Sequence, residues 1–262
     1  MHGKGLRALT LATFATLIAS FALVVFYAPN DADQGFIQKI FYLHVPLAIV
    51  ALCGFVAGGV FGIQFLRTGE RAHDLRSYVA IHLSLILAVA ALITGSIWAK
   101  AAWGHWWVWE EPTLVSFLIV FLLYACYQPL RFSIEDPETQ ARYAAVFSIV
   151  AGAFVPLNFL AVRMAQSVEH PRVLTDTGGN MPGSMFFTFL VSLAGMACLY
   201  VTLCKYELAS KSARMQLRRL RRSLLEDEDW APAPRRRRSS SSSLSSDRSR
   251  SNRDWREAMI AT

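Results

Sequence analysis

Long apolar stretches alternate with short polar connections along most of the chain. A helix that spans a membrane needs about 20 mostly apolar residues, because the hydrocarbon core is about 30 Å thick. Six stretches meet this requirement without a run of charges in their middle: approximately 8–28, 44–66, 78–98, 113–130, 143–162 and 184–204. The pattern predicts an all-α, polytopic membrane protein with six transmembrane helices and with both ends on one side of the membrane.

Composition and charge agree with this class and predict its orientation. The chain is 54% hydrophobic and 17% charged, which is too apolar for an ordinary soluble domain. Basic residues are more frequent before the first segment and in the loops near 70 and 136 than in the loops 29–43, 99–112 and 163–183. The positive-inside rule therefore predicts that both termini are cytoplasmic and that the latter three loops face outward.

The C-terminal segment 205–262 differs from the rest of the chain. Residues 1–204 carry eleven basic and eleven acidic residues, so the whole net charge of +7 falls on this segment. It is rich in Arg and Ser, which predicts a disordered basic cytoplasmic tail that contacts the anionic surface of the lipid bilayer. Its densest basic runs, RRLRR (218–222) and RRRR (235–238), contain no aromatic residues, so nucleic-acid binding is not expected. The chain thus divides into a six-helix domain, 1–204, and a tail, 205–262.

Cysteine and glycine usage excludes some chemistry and predicts some packing. The four cysteines form neither a CxxC nor a CxxCH motif, which argues against a thioredoxin-like redox function and against covalently attached c-type haem. Gly54, Gly58 and Gly62 recur every fourth residue, so they should let another helix approach the second helix closely.

The stretch AWGHWWVWEEP (102–112) concentrates aromatic surface in one outward loop, residues 99–112, here called the tryptophan loop. Its tryptophans are Trp103, Trp106, Trp107 and Trp109. Leaving several exposed would forgo on the order of 10 kcal/mol of burial free energy. Two interpretations remain open, namely an aromatic belt at the membrane interface and a platform for a flat apolar ligand or a partner. If the stretch is helical, the first three share a face.

Glu110 and Glu111 come directly before Pro112, which begins the fourth predicted helix. Proline is favoured at the first helical position and acids are favoured near that end by the helix dipole. This role is sufficient to explain both glutamates, and nothing nearby resembles a nucleophile or a metal cluster.

Histidines supply the candidate ligands. His44 lies in FYLHVP, where Pro46 marks the first turn of helix two, and His170 lies in SVEHPRV. Each alone is typical of an interfacial histidine, but two at one depth beside an aromatic platform could serve as axial ligands of haem iron. Its propionates would need outer-face cations, for which the candidates are Lys100, Arg163 and Arg172. His82 lies within the third helix, where a hydrogen bond to a neighbouring helix is expected.

Three stretches resemble the CcmC family of the tryptophan-rich ("WWD") haem-handling superfamily, which also includes CcmF and CcsA. They are QGFIQKIFYLHVPLAIV (34–50), ITGSIWAKAAWGHWWVWE (93–110) and, less closely, VPLNFLAVRMAQSVEHP (155–171). The resemblance covers roughly residues 8–204. The family's two histidines and its WGxxWxWD loop correspond here to His44, Trp103, Gly104, Trp107, Trp109, Glu110 and His170.

The resemblance implies transient binding of haem b at the outer face of the cell inner (cytoplasmic) membrane. His44 and His170 would be the axial iron ligands, and the remaining haem-site residues would be Trp103, Gly104, Trp106, Trp107, Trp109 and Glu110. It further implies delivery of haem to the periplasmic chaperone CcmE during c-type cytochrome biogenesis, in concert with the CcmA/CcmB ABC transporter and CcmD. No covalent chemistry is required of the chain, so we expect a binding protein and not an enzyme.

The sequence departs from the family pattern in three places. Glu110 replaces an aspartate, residues 111–114 do not match the arginine-leucine-threonine that follows it, and Met164 and Ala165 stand where a tryptophan pair precedes the second histidine. Two other functions remain open. One is haem attachment to apocytochrome, although such synthase-type proteins generally have more helices. The other is a transporter or respiratory subunit whose tryptophans are only interfacial anchors.

Overall fold

A computed structural model describes residues 2–170, 174–175, 178–179 and 181–230. Within these residues, six helical segments are long and apolar enough to cross a membrane, which confirms the predicted all-α membrane fold. They are Gly5–Tyr27, Phe36–Thr68, Arg71–Trp103, Pro112–Phe132, Pro137–Met164 and Gly183–Leu225. Their number and composition indicate a multi-pass membrane protein.

The helices follow one another through short turns. Helix α1 is His2–Ala22 and continues into a π-helical turn, Leu23–Tyr27, and a 3-10 turn, Phe36–Ile40, leads into α2, Phe41–Thr68. Next come α3, Arg71–Trp103, then α4, Pro112–Ala125, with the short α5, Tyr127–Phe132, and then α6, Pro137–Met164. A two-stranded antiparallel hairpin pairs β1, Leu174–Thr175, with β2, Gly178–Gly179, before α7, Gly183–Trp230.

Helix α2 begins earlier than the sequence suggests. Pro46 lies inside the helix and does not mark its first turn. The preceding 3-10 turn already directs the chain into the helix, so the proline is accommodated some residues after the start. His44 consequently stands within a continuous helix, which restricts the position of its side chain.

The core lies where α2 packs against α3, α4 and α6. Phe55 stacks on Tyr124 with ring centroids 3.8 Å apart, and both rings are fully buried. The glycines of α2 let α3 and α6 approach it closely, as predicted. A Cβ added at Gly58 would lie 2.6 Å from Ile81 of α3, and one at Gly62 would lie 3.0 Å from the Ala145 carbonyl of α6.

Polar contacts between helices connect the remaining elements. Thr13 and Thr202 share a hydrogen bond of 2.7 Å between α1 and α7. The Gln128 amide donates to Nδ1 of His82 at 3.0 Å, which confirms the expected contact of His82 with another helix. Such bonds satisfy polar groups that have no water to bind in the hydrocarbon region.

The chain divides into two compact units, Met1–Met215 and Gln216–Thr262. Helix α7 continues to Trp230, so the part of the predicted tail from 205 to 230 is helical and not disordered. This part contains strong helix formers and neither glycine nor proline before Pro232, whereas the Ser/Arg-rich composition that predicted disorder begins later. Residues 231–262 of that predicted tail lie outside the described residues.

Candidate functional site

A cavity of about 280 Å³ opens between α2, α3, α4 and α6 at the end of the bundle that carries the tryptophan loop. Most of its wall is apolar, formed by residues that include Ala48, Leu52, Phe117, Val120 and Val155. Its polar contributors are His44, Ser96, Thr113, Ser116, Asn158, Arg163 and His170. An apolar cavity with a few convergent polar groups is the usual form of a small-molecule site.

The His44 imidazole is held by α3. Its Nδ1 lies 3.0 Å from the Ala91 carbonyl oxygen and 3.2 Å from the Thr94 hydroxyl oxygen. A carbonyl oxygen can only accept a hydrogen bond, so Nδ1 carries the proton and the lone pair is on Nε2. A histidine that binds a metal through one ring nitrogen is usually oriented by a hydrogen bond from its other ring nitrogen, as Nδ1 makes here.

Gly95 provides the space for this imidazole. A Cβ at position 95 would lie 2.7 Å from Cε1 and 3.2 Å from Nδ1 of His44, so any side chain there would displace the ring. Gly95 was not among the predicted site residues. Ala91 lies four residues before Gly95 on the same face of α3, and this pair of small residues could have indicated that another helix approaches α3 there.

His170 lines the same cavity although it is far from His44 in sequence. Its ring stands edge-on to Trp103, with ring centroids 6.3 Å apart. His44 has a similar neighbour in Trp98, with centroids 5.9 Å apart. The two predicted imidazoles are therefore brought together, and each lies beside an indole.

The four tryptophans predicted to belong to the haem site take different positions. Helix α3 ends at Trp103, because Gly104 adopts a left-handed conformation with φ of 81°, so the conditional helical spacing of the tryptophans does not occur. Trp103 and Trp107 line the cavity. Trp106 is 60% and Trp109 is 69% exposed, although the ring of Trp109 packs edge-on to Trp107 at 5.9 Å.

The indole nitrogen of Trp107 is a buried hydrogen-bond donor that lies at the cavity wall. It is buried and has no hydrogen-bond partner among the described residues. Buried donors are normally satisfied. A cavity-lining donor of this kind suits a ligand that brings an acceptor.

The predicted cations differ in their relation to the cavity. The Arg163 side chain lines it and lies over the Phe159 ring at 5.3 Å. Lys100 instead donates to the Gly104 carbonyl at 2.8 Å, which helps to close the end of α3. Arg172 lies outside the described residues. Arg163 is thus the predicted cation that the described structure brings to the cavity wall.

The two glutamates separate sharply. Glu110 is exposed, whereas Glu111 is fully buried. Glu111 caps α4 by accepting from the Thr113 amide, with Pro112 in the first turn, which confirms the predicted helix start. That role is not its whole function, because the carboxylate also accepts from the backbone amides of Val168, Glu169 and His170 at 2.9, 2.8 and 3.1 Å.

These hydrogen bonds keep the Glu111 carboxylate ionised. Burial opposes ionisation of the carboxylate, but the hydrogen bonds from the amides of Glu169, His170, Val168 and Thr113 outweigh it and lower the pKa of Glu111 to about 2. The sequence predicted the helix-start role of Glu111 but not its hydrogen bonds to residues 168–170. A glutamate at a position where Ser, Thr, Asp or Asn usually caps a helix was the available signal.

The donor set fits a metal that is already held by a macrocycle. The described residues contain no group of three or more His, Cys, Asp or Glu side chains that could bind a bare metal ion. Two imidazoles match the two axial positions of an iron whose other four ligands are supplied by a porphyrin. Apolar walls, flanking indoles and the Trp107 donor suit the faces and carboxylates of such a ligand.

Comparison with known proteins identifies the family. Residues 1–223 match the family model of CcmC, described as heme exporter protein C. The chain is 31% identical to the heme exporter protein C of Rhodobacter capsulatus over 203 residues, which cover 77% of this chain and 84% of that protein. It is 30% identical to that of Paracoccus denitrificans over 194 residues, which cover 73% and 80% of the two chains. A match over most of the chain, together with the two-histidine cavity, leads to one conclusion: the protein belongs to the heme exporter protein C family.

Proposed function

We propose that this protein binds haem between His44 and His170 at the outer face of the cytoplasmic membrane and delivers it to the haem chaperone CcmE. Membership of the family implies a role in haem handling for c-type cytochrome maturation, together with other components of that system. The cargo would be haem b, bound without covalent attachment.

The convergence of two imidazoles on one apolar cavity is the observation that carries this proposal. His44 would use Nε2 as an iron ligand, because Nδ1 donates to the Ala91 carbonyl. Trp103 and Trp107 would contact the macrocycle, and Arg163 would interact with a propionate. Trp106, Trp109, Gly104 and Glu110 would contribute at the exposed rim of the site.

Reversible ligation suits a protein that passes its cargo on. Nitrogen ligation by histidine can be exchanged, whereas a thioether bond to the protein could not. The exposed tryptophans, Trp106 and Trp109, lie where a recipient could reach the site. In this proposal CcmA, CcmB and CcmD are the other components of the assembly, and the chain itself carries out no covalent step.

Removal of both histidines tests the ligand assignment. We expect a His44→Ala, His170→Ala double variant, purified from membranes, to lose nearly all haem absorbance. His73→Ala is the matched control, because His73 pairs with Glu70 at the start of α3 and is remote from the cavity in the fold. Full haem absorbance in the double variant, at wild-type protein yield, would show that other residues bind the haem.

A transfer assay tests the delivery step and separates it from haem attachment. Haem-loaded protein is mixed with purified CcmE, and haem is measured on each protein after separation. We expect haem to move to CcmE. Transfer directly to apocytochrome thiols, without CcmE, would instead support the synthase-type alternative.

A further inference from the structure

The two candidate ligands are supported in different ways. His44 is part of a long membrane-spanning helix, and its ring is held by a second one through Ala91. His170 belongs to residues 165–170, which form neither helix nor strand. The position of the second imidazole therefore depends on what holds this short segment.

Apart from the contact of the His170 ring with Trp103, apolar packing contributes little to holding this segment. Met164 is 88% exposed and Val168 is 59% exposed. These side chains bury too little surface to fix the backbone between α6 and His170. Polar contacts must provide the constraint.

The Glu111 carboxylate supplies these contacts. One oxygen, Oε2, accepts from three consecutive amides, those of Val168, Glu169 and His170. The Ser167 hydroxyl lies 3.3 Å from the same oxygen and donates to the His170 carbonyl at 2.6 Å. The segment thus wraps around a single buried charge at the start of α4.

We propose that Glu111 is the positioning residue for His170, and that its carboxylate fixes the second imidazole opposite His44. The inference rests on the proposed function, because it assigns Glu111 a task in forming the haem site. A carboxylate meets the requirement because it is acceptor-only and can take several N–H groups at one oxygen. A glutamine of the same length keeps one acceptor oxygen, but that oxygen is neutral and binds the three amides more weakly, and its NH2 group would face the Thr113 amide, which is itself a donor.

Exchange of glutamate for glutamine tests this in the haem-free protein. We expect amide hydrogen exchange of residues 168–170 to become at least about tenfold faster in Glu111→Gln. Glu169→Gln is the matched control, because it removes a charge from an exposed side chain of the same segment while leaving the Glu169 amide in place. The control should exchange as the wild type does.

Haem ligation gives a second measurement. After addition of hemin, we expect Glu111→Gln to shift from a six-coordinate to a five-coordinate spectrum, as His170→Ala should. Added imidazole should restore the six-coordinate spectrum in both variants. Wild-type exchange at 168–170 together with an unchanged spectrum in Glu111→Gln would overturn the proposal.

Other outcomes remain informative. If Glu111→Gln cannot be recovered from membranes, Glu111→Asp carries the test, because the shorter side chain keeps the charge but draws the carboxylate away from the three amides. Faster exchange at the same amides is expected, and unchanged exchange would contradict the inference. If wild-type protein binds no haem while Glu111→Gln still frees these amides, the proposed function fails but the structural anchor stands.

Discussion

At the scale of single residues, the site depends on small side chains and buried charges as much as on its candidate ligands. His44, His170 and the tryptophans attract notice in the sequence because their types are chemically distinctive. Gly95 and Glu111 do not, since a lone glycine in a helix and an acid before a proline have ordinary explanations. Their importance comes from contacts between segments far apart in sequence, which residue type and spacing do not reveal.

Gly95→Ala should weaken haem binding without unfolding the protein. The added Cβ would lie 2.7 Å from Cε1 of His44 and would force the ring away from Ala91. Overpacking of this kind costs about 1–3 kcal/mol, which corresponds to roughly 5- to 150-fold in affinity. Hemin titration followed by absorbance measures the change.

Gly183→Ala is the control for that titration. A Cβ at Gly183 would meet nothing within 4 Å, so its affinity should equal that of the wild type. Equal affinities for Gly95→Ala and wild type would mean that the His44 ring does not need its observed position.

At the scale of elements, the sequence predicted the helices well and their ends poorly. The six apolar runs correspond to the six spans because the hydrocarbon core imposes a minimum length. Helix α3 nevertheless starts at Arg71 and ends at Trp103, beyond the predicted 78–98, because charged and aromatic residues continue the helix outside the apolar run. Helix α3 ends inside the tryptophan stretch because Gly104 takes a left-handed conformation, which allows the chain to leave the helix there.

One buried ion pair connects α3 to α5. Arg131 and Asp74 form two hydrogen bonds of 2.7 Å, and their side chains are 10% and 12% exposed. Removal of one partner leaves the other charge without its counter-ion, so Arg131→Met is expected to lower the free energy of unfolding by about 3–5 kcal/mol. Thermal denaturation in detergent measures the loss.

The double variant Asp74→Leu, Arg131→Met completes that experiment. With both charges gone, most of the stability should return. Haem affinity should stay at the wild-type value, since neither residue lines the cavity. A double variant as unstable as the single one would show that the pair contributes more than neutralisation of a buried charge.

At the scale of the whole molecule, the meeting of His44 and His170 at one cavity is what the sequence alone left open. Hydropathy and charge predict how many times the chain crosses the membrane, but not which helices are neighbours. The resemblance to a family suggested the pairing, and the packing of α2, α3, α4 and α6 around one cavity gives it a physical basis. The direction of the cavity across the membrane remains a prediction from charge.

Site-directed labelling tests that direction. In a variant background without native cysteines, His105→Cys should react with a membrane-impermeant maleimide on intact spheroplasts, because the exposed His105 lies in the tryptophan loop. Glu70→Cys, in the loop between α2 and α3, should react only after the membrane is opened. The reverse pattern would place the cavity at the cytoplasmic face and contradict delivery to a periplasmic recipient.

The most direct test of the account is the ligation state of haem in the purified protein. Electron paramagnetic resonance of the hemin-loaded wild type and His73→Ala should show a low-spin signal typical of two imidazole ligands. That signal should disappear in His44→Ala and in His170→Ala separately, because each removes one ligand. Persistence of the bis-imidazole signal in either variant, or its absence from the wild type, would contradict the central claim.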